Sequence, residues 1–230
     1  MNEVPDPTGG WAKATEATAN ASKEAIQAGR DLARFLREPA REVIGMVSDY
    51  LTVVRFERQI RLSERVRHFL AERGMDAPTR RIAPNIALPL LENASLEEDD
   101  DLQDVWARLL VNGGDAHSGI ELHPAFGAVL AQMTAFDVRN LAHIESASKL
   151  AGRDAELGIW TFDLPEAAAA FVLARNPGDP SYPSPEVKIS LSNLARLGCI
   201  SSLGERPDGP QYILVNLTPF GQAFIEACTK

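Results

Sequence analysis

Between Pro39 and Gly74 the chain carries one long helical repeat. Val43, Val47, Leu51, Val54, Leu62, Val66 and Phe69 recur with a 3.6-residue period from about Arg41 to Arg73, and Arg58 is the one break. Val53, Phe56 and Ile60 add a second stripe, so the middle of this helix is expected to be buried on two sides. A helix of that kind needs other helices around it, which makes a mainly α fold the expectation. Gly74 is the candidate C-cap.

The segment before it, Trp11 to about Arg37, is alanine-rich, free of proline and high in helix propensity, but has little apolar side chain to bury. Ala17, Ala21, Ala25, Gly29 and Ala33 recur every four residues and predict a narrow seam where another helix can approach closely. Residues 1–10 read as a disordered tail with no basic region and no apolar core, hence not a secretory signal. No apolar run is long enough to predict a membrane-spanning helix.

After Gly74, Pro78, Pro84 and Pro89 predict turns and at most short helical pieces over Asp76–Leu91. Ser95-Leu-Glu-Glu98 reads as a capping box for a helix carrying Leu102, Val105, Trp106, Leu109 and Leu110, stopped by Asn112-Gly-Gly114. A short apolar helix is expected from Ala125 to Met133. Thr134-x-x-Asp137 opens the next helix, to about Leu150, and Gly158–Phe162 reads as a strand. Asp163-Leu-Pro-Glu166 carries the signals of a helix start, with that helix running to about Ala174. A proline-rich loop, a helix from about Glu186 to Leu197, a hairpin of Cys199–Leu203 with Tyr212–Leu217, and a last helix behind Thr218-Pro219 complete the chain. That order of elements is the winged-helix plan. The expected organisation is therefore a helical region over 11–133 followed by a winged-helix-like α+β domain over 134–230.

Charge and composition narrow the function. The net charge is −9, from 23 Lys+Arg against 32 Asp+Glu, which argues against general nucleic-acid binding, because that affinity comes from cations on phosphates. Two cysteines do not make a disulfide scaffold, and a reducing, cytoplasmic setting is expected. The acids at 97–101 lack the spacing of a calcium loop and suit the first turn of a helix. Asp115, His117, Glu121 and His123 lack zinc-site spacing, and no phosphate-binding, dinucleotide, kinase or hydrolase signature appears. No catalytic residue, metal or cofactor is assigned. Cys199 and Cys228 are expected to be buried.

Two sets of polar residues remain. Arg55, Arg58, Arg61 and Arg65 sit on a basic stretch, where they either pair with the acids at 97–104 or face a protein partner or an anionic surface. Lys188, Ser190, Ser192, Asn193 and Arg196 lie on the helix that a winged helix presents to DNA, although residues 186–230 carry no net charge.

The stretches Glu92–Asp100 (ENASLEEDD) and Leu102–Leu110 (LQDVWARLL) resemble the central signature of the Abi-alpha (abortive infection alpha) family. So do His123-Pro124 ahead of an apolar helix, Thr134-x-x-Asp137, Asn193–Gly198 (NLARLG) and Leu217–Gly221 (LTPFG), and the similarity runs from about Gly29 to the C-terminus. The chain departs from it at Val111-Asn-Gly-Gly114, where relatives more often continue with small apolar residues. The resemblance implies a bacterial protein linked to phage defence, in which an infected cell halts or dies before progeny are released, and it carries over no catalytic residues. The expectation is a non-enzymatic protein that associates with itself or a protein partner, or changes conformation when triggered. A membrane-directed effector, peripheral at the inner membrane, and a winged-helix transcriptional regulator are the alternatives.

Overall fold

The computed structural model of this 230-residue chain describes residues 23, 26–32, 34–35, 53–170, 183–206 and 209–229. The N-terminal tail, Ala17, Ala21, Ala25 and Ala33 of the small-residue seam, the start of the long helix and most of the proline-rich loop lie outside the described residues. The chain divides into two compact units between His117 and Ser118. Among the described residues it is mainly helical, with a small antiparallel sheet in the second unit.

In the first unit a helical segment at 26–32 buries Ala28 and Leu32, followed by Phe35. At Gly29 no atom of the described residues lies within 4 Å of where a Cβ would be. Helix α1 (Val53–Glu72) buries Leu62, Val66, Phe69 and Leu70. It ends as predicted at Gly74, whose φ of 67° lets Met75 N reach back to Leu70 O.

Helix α2 (Pro84–Ala94) corrects the expectation of turns and short pieces. Pro84 sits in the first turn, where its missing N–H costs nothing, and the internal Pro89 is carried because Ala87, Leu90 and Ala94 bury one face. The predicted capping box at Ser95 is also corrected. Ser95 belongs to the end of α2, its hydroxyl donating to Glu92 O at 2.7 Å. The helix that follows, α3 (Asp100–Gly114), is capped by Asp99, which accepts from Leu102 N at 3.0 Å.

The second unit begins with α4 (Ala125–Leu130), shorter than predicted. Its Phe126 packs edge-on against Phe220 and Phe224, both at 5.6 Å between centroids, so this helix belongs with the C-terminal elements and not with the helical region before residue 133. Helix α5 (Ala135–Ala151) has the predicted capping box in full, with Thr134 Oγ1 accepting from Asp137 N at 3.2 Å and Asp137 accepting from Thr134 N at 2.9 Å. Thr134→Ala is expected to cost about 1 kcal/mol of stability. A urea titration checks it, and an unmoved midpoint would mean that Asp137 alone secures the helix start.

A 3₁₀ turn (Gly152–Leu157) leads to β1 (Ile159–Trp160). The helix predicted from Asp163 is a correction. Its first turn forms, with Glu166 N and Ala167 N both donating to Asp163 O at 3.0 Å, but Ala169–Ala170 is strand β2, paired antiparallel with β1. Pro165 disfavours helical geometry at Leu164, and the alanines that follow offer too little apolar side chain to hold a helix against a sheet edge. Helix α6 (Pro185–Arg196) is capped by Ser184. Strand β3 (Ile200–Ser202), a two-residue ladder of β4 (Glu205–Arg206) with β5 (Gly209–Pro210), strand β6 (Leu214–Leu217) and helix α7 (Pro219–Thr229) complete the unit. The predicted hairpin is therefore present, with Ile200 opposite Leu217, and the sheet order is β2-β1-β6-β3. Leu141, Ile144, Ile159, Leu191, Leu194, Val215 and Phe224 form its core.

Candidate functional site

Arg58 interrupts the apolar period of α1 where the segment between α2 and α3 covers it, and a mostly buried arginine needs acceptors. It finds Leu96 O at 2.9 Å and the Glu98 carboxylate. One turn on, Arg61 reaches Asp100 at 3.1 Å, and Arg65 reaches both Asp100 at 2.7 Å and Asp104 at 2.6 Å. The arginine side chains are 16%, 32% and 22% exposed and the three acids 76%, 68% and 50%, so carboxylates form the outer layer over a recessed basic row. Of the two readings open in the sequence, the geometry realises intramolecular pairing for Arg58, Arg61 and Arg65. The side chain of Arg55 lies outside the described part.

The far end of the same helix pair is closed differently. Helix α3 ends in Asn112-Gly-Gly114, whose last carbonyls have no partners within the helix. Arg80 Nε donates to Gly113 O at 2.9 Å, and Arg80 N to Gly114 O at 2.7 Å. Arg73 pairs with the Asn112 side-chain oxygen and with Asp115 at 3.4 Å. Positive groups also suit the negative end of the helix dipole. The glycine that distinguishes this stretch has a steric reason, since a Cβ on Gly114 would lie 2.6 Å from the Phe35 ring. Between the two ends, the Arg108 guanidinium stacks 4.1 Å above the Phe69 ring.

In the C-terminal unit the candidate DNA-contacting residues are already engaged. Asn193 Nδ2 donates to Gln132 O at 2.9 Å and to the capping carboxylate of Asp137 at 3.1 Å. Arg196 donates to the Gln132 side chain at 3.0 Å and to Asn193 Oδ1 at 2.7 Å. Ser190 is buried and accepts from Asn140 at 3.0 Å, while Ser192 bonds back to Lys188 O at 2.7 Å. Lys188 is half-buried. This network ties α6 to α5 and to the turn before it.

The remaining polar residues are dispersed. Asp115 is buried and accepts from His117 N at 2.8 Å, and His123 Nδ1 accepts from Ala125 N at 3.1 Å beside the Phe126 ring. Among the described residues no group of three or more His, Cys, Asp or Glu is placed to hold a metal ion. Both cysteines are buried free thiols. Burial pushes the Cys199 thiol up to about 12 and that of Cys228 higher still, so neither is a thiolate at neutral pH.

A polar cleft of about 250 Å³, unforeseen from the sequence, is lined by Glu145, Ser148, Lys149, Gly152, Leu217 and Gln222. Lys149 pairs with the buried Glu145 carboxylate one turn earlier, and that hydrogen bond raises the ammonium's pKa. The i,i+4 spacing was the only signal for this pair. Its cleft, which also involves β6 and α7, has no local signature.

Among the described residues no helix is long and apolar enough to cross a membrane. Neither the curated proteins nor the solved structures contain a match to this chain. A family model does match, that of abortive infection alpha, over residues 57–228. The matched span takes in the arginine–carboxylate ladder, the capped end of α3 and the elements of the C-terminal unit as far as α7. On that match the chain belongs to the abortive infection alpha family.

Proposed function

We propose that this is a bacterial anti-phage defence protein that works without catalysis, through protein association or a triggered conformational change. The observation that carries this reading is the family match over residues 57–228. An arginine–carboxylate ladder of Arg58, Arg61 and Arg65 holds α1 to the start of α3, which suits a role in association or conformational change. The C-terminal unit is read as a winged-helix variant, with β1, β6 and β3 behind α6 in the order of that plan. Its role here is packing or docking, because reading DNA with α6 would first break the hydrogen bonds that hold Asn193 and Arg196.

A phage challenge tests the reading. A host carrying this gene is expected to survive infection at low multiplicity and to collapse at high multiplicity, beside an empty-vector control. Protection equal at both multiplicities would point to a defence that spares the infected cell. Absence of protection across a broad phage panel would count against the defence role of this chain acting alone.

A further inference from the structure

We propose that the α1–α3 seam is an electrostatic latch. Its polar end, where Arg58, Arg61 and Arg65 meet Glu98, Asp100 and Asp104, opens while its apolar end stays shut and acts as the hinge. The proposal gives the triggered change of the proposed function a location, and to that extent rests on that reading.

Three observations favour it. The two helices run parallel, since Arg61–Asp100, Arg65–Asp104 and Arg73–Asn112 are each separated by 39 residues, so the exposed ladder, with Leu62 and Leu102 buried beneath it, lies at one end of the seam and the larger apolar cluster, closed by Arg73, at the other. At the polar end the attraction lies in ion pairs whose acids are more than half or about half exposed, and such pairs weaken as salt screens them. The same end buries Ser63 Oγ, Gln103 Oε1 and Arg61 Nε with no hydrogen-bond partner among the described residues. Opening returns to water the Arg61 Nε, whose guanidinium reaches across the seam to Asp100, and that offsets part of the cost of parting the helices.

The other end has no such release. Val66, Phe69 and Leu70 of α1 and Leu109, Leu110 and Val111 of α3 are buried, and Arg73 and Arg80 fasten the α3 terminus. Parting them would expose apolar surface, and salt does not weaken that term. The start of α3, by contrast, is held by the Asp99 cap and by Gln103 Nε2 donating to Glu97 O at 2.8 Å. The Arg73–Asp115 pair at the far end has an acid only 11% exposed, against 50–76% for the acids of the outer ladder, so screening acts mainly on the ladder end.

Hydrogen exchange on the purified full chain decides the matter, and it is independent of any phage phenotype. In about 1 M NaCl, where the screening length falls to about 3 Å, amides at 58–65 and 103–105 are expected to exchange about tenfold faster relative to those at 66–72 and 106–113. Asp100→Asn, which removes the carboxylate shared by Arg61 and Arg65, should produce the same pattern at low salt. Asp101→Asn, an equal loss of charge one residue along, should not. Exchange that rises uniformly over both ends, or responds neither to salt nor to Asp100→Asn, overturns the latch. So does equal acceleration by Asp100→Asn and Asp101→Asn, which would reduce the effect to net charge.

Discussion

Gly221→Ala is expected to destabilise the C-terminal unit by about 3 kcal/mol or more, the upper part of the range for an added methyl group in a packed site. Gly221 lies in the first turn of α7, where its N–H donates to Thr218 Oγ1 at 2.9 Å. The same hydroxyl donates to Gly198 O at 2.6 Å, and Thr218 N donates to Cys199 O at 3.0 Å. A Cβ on Gly221 would sit 2.0 Å from Cys199 O and 2.7 Å from Cys199 C. These are backbone atoms at the root of the hairpin, so no side chain can turn aside. Helix α7 or strand β3 must move, and the buried contacts of Phe224, Ile225 and Cys228 would move with it. Chemical denaturation followed by circular dichroism measures the loss. Gly204→Ala provides the control, since no atom of the described residues lies within 4 Å of the added methyl group there, and it should leave stability within about 0.5 kcal/mol of the parent. Equal behaviour of the two variants would refute the close approach of α7 to Cys199.

Trp106 gives the second large effect, in the first unit. Its side chain is 1% exposed, in the middle of α3, and its indole Nε1 is buried with no hydrogen-bond partner among the described residues. Trp106→Ala should cost about 3–5 kcal/mol, by lost burial and the cavity left behind. Trp106→Phe keeps most of the volume and also removes a buried N–H that is unpaired, so its cost should stay near 1–2 kcal/mol. The ratio between the two variants is the informative quantity. A phenylalanine as damaging as alanine would show that the indole N–H makes an energetically important hydrogen bond.

What could be read in advance followed the range of each interaction. Thr134 and Asp137 are three residues apart, and the capping box they predict is there atom for atom. Gly74 and the hairpin of β3 with β6 also declare themselves over a few residues. Local signals failed where two competed. Ser95 and Asp99 are both good caps, and Ser95 lost because α2 had not yet ended at that point. The helix start at Asp163 lost to a sheet edge that comes from β1 and, beyond it, β6.

The ladder of Arg58, Arg61 and Arg65 was half legible. Spacing put the arginines on one face and clustered the acids over 97–104, but only the packing of α1 on α3 chose pairing over a bare basic surface. The closure of α3 by Arg80 was out of reach, because its acceptors are main-chain carbonyls and any residue supplies those. The engagement of Asn193 and Arg196 was hidden for a similar reason. Their principal partner, Gln132, is a loop residue more than sixty positions earlier.

The parallel run of α1 and α3 also bears on how the chain comes off the ribosome. Two antiparallel neighbours can zip together as soon as the second is made, whereas parallel ones must wait for a return segment, here the stretch containing α2. With ladder partners 39 residues apart, and synthesis at about 5–20 residues per second, each arginine emerges about 2–8 s before its carboxylate. For that interval the nascent chain displays a basic helix face that the finished protein covers with its own acids.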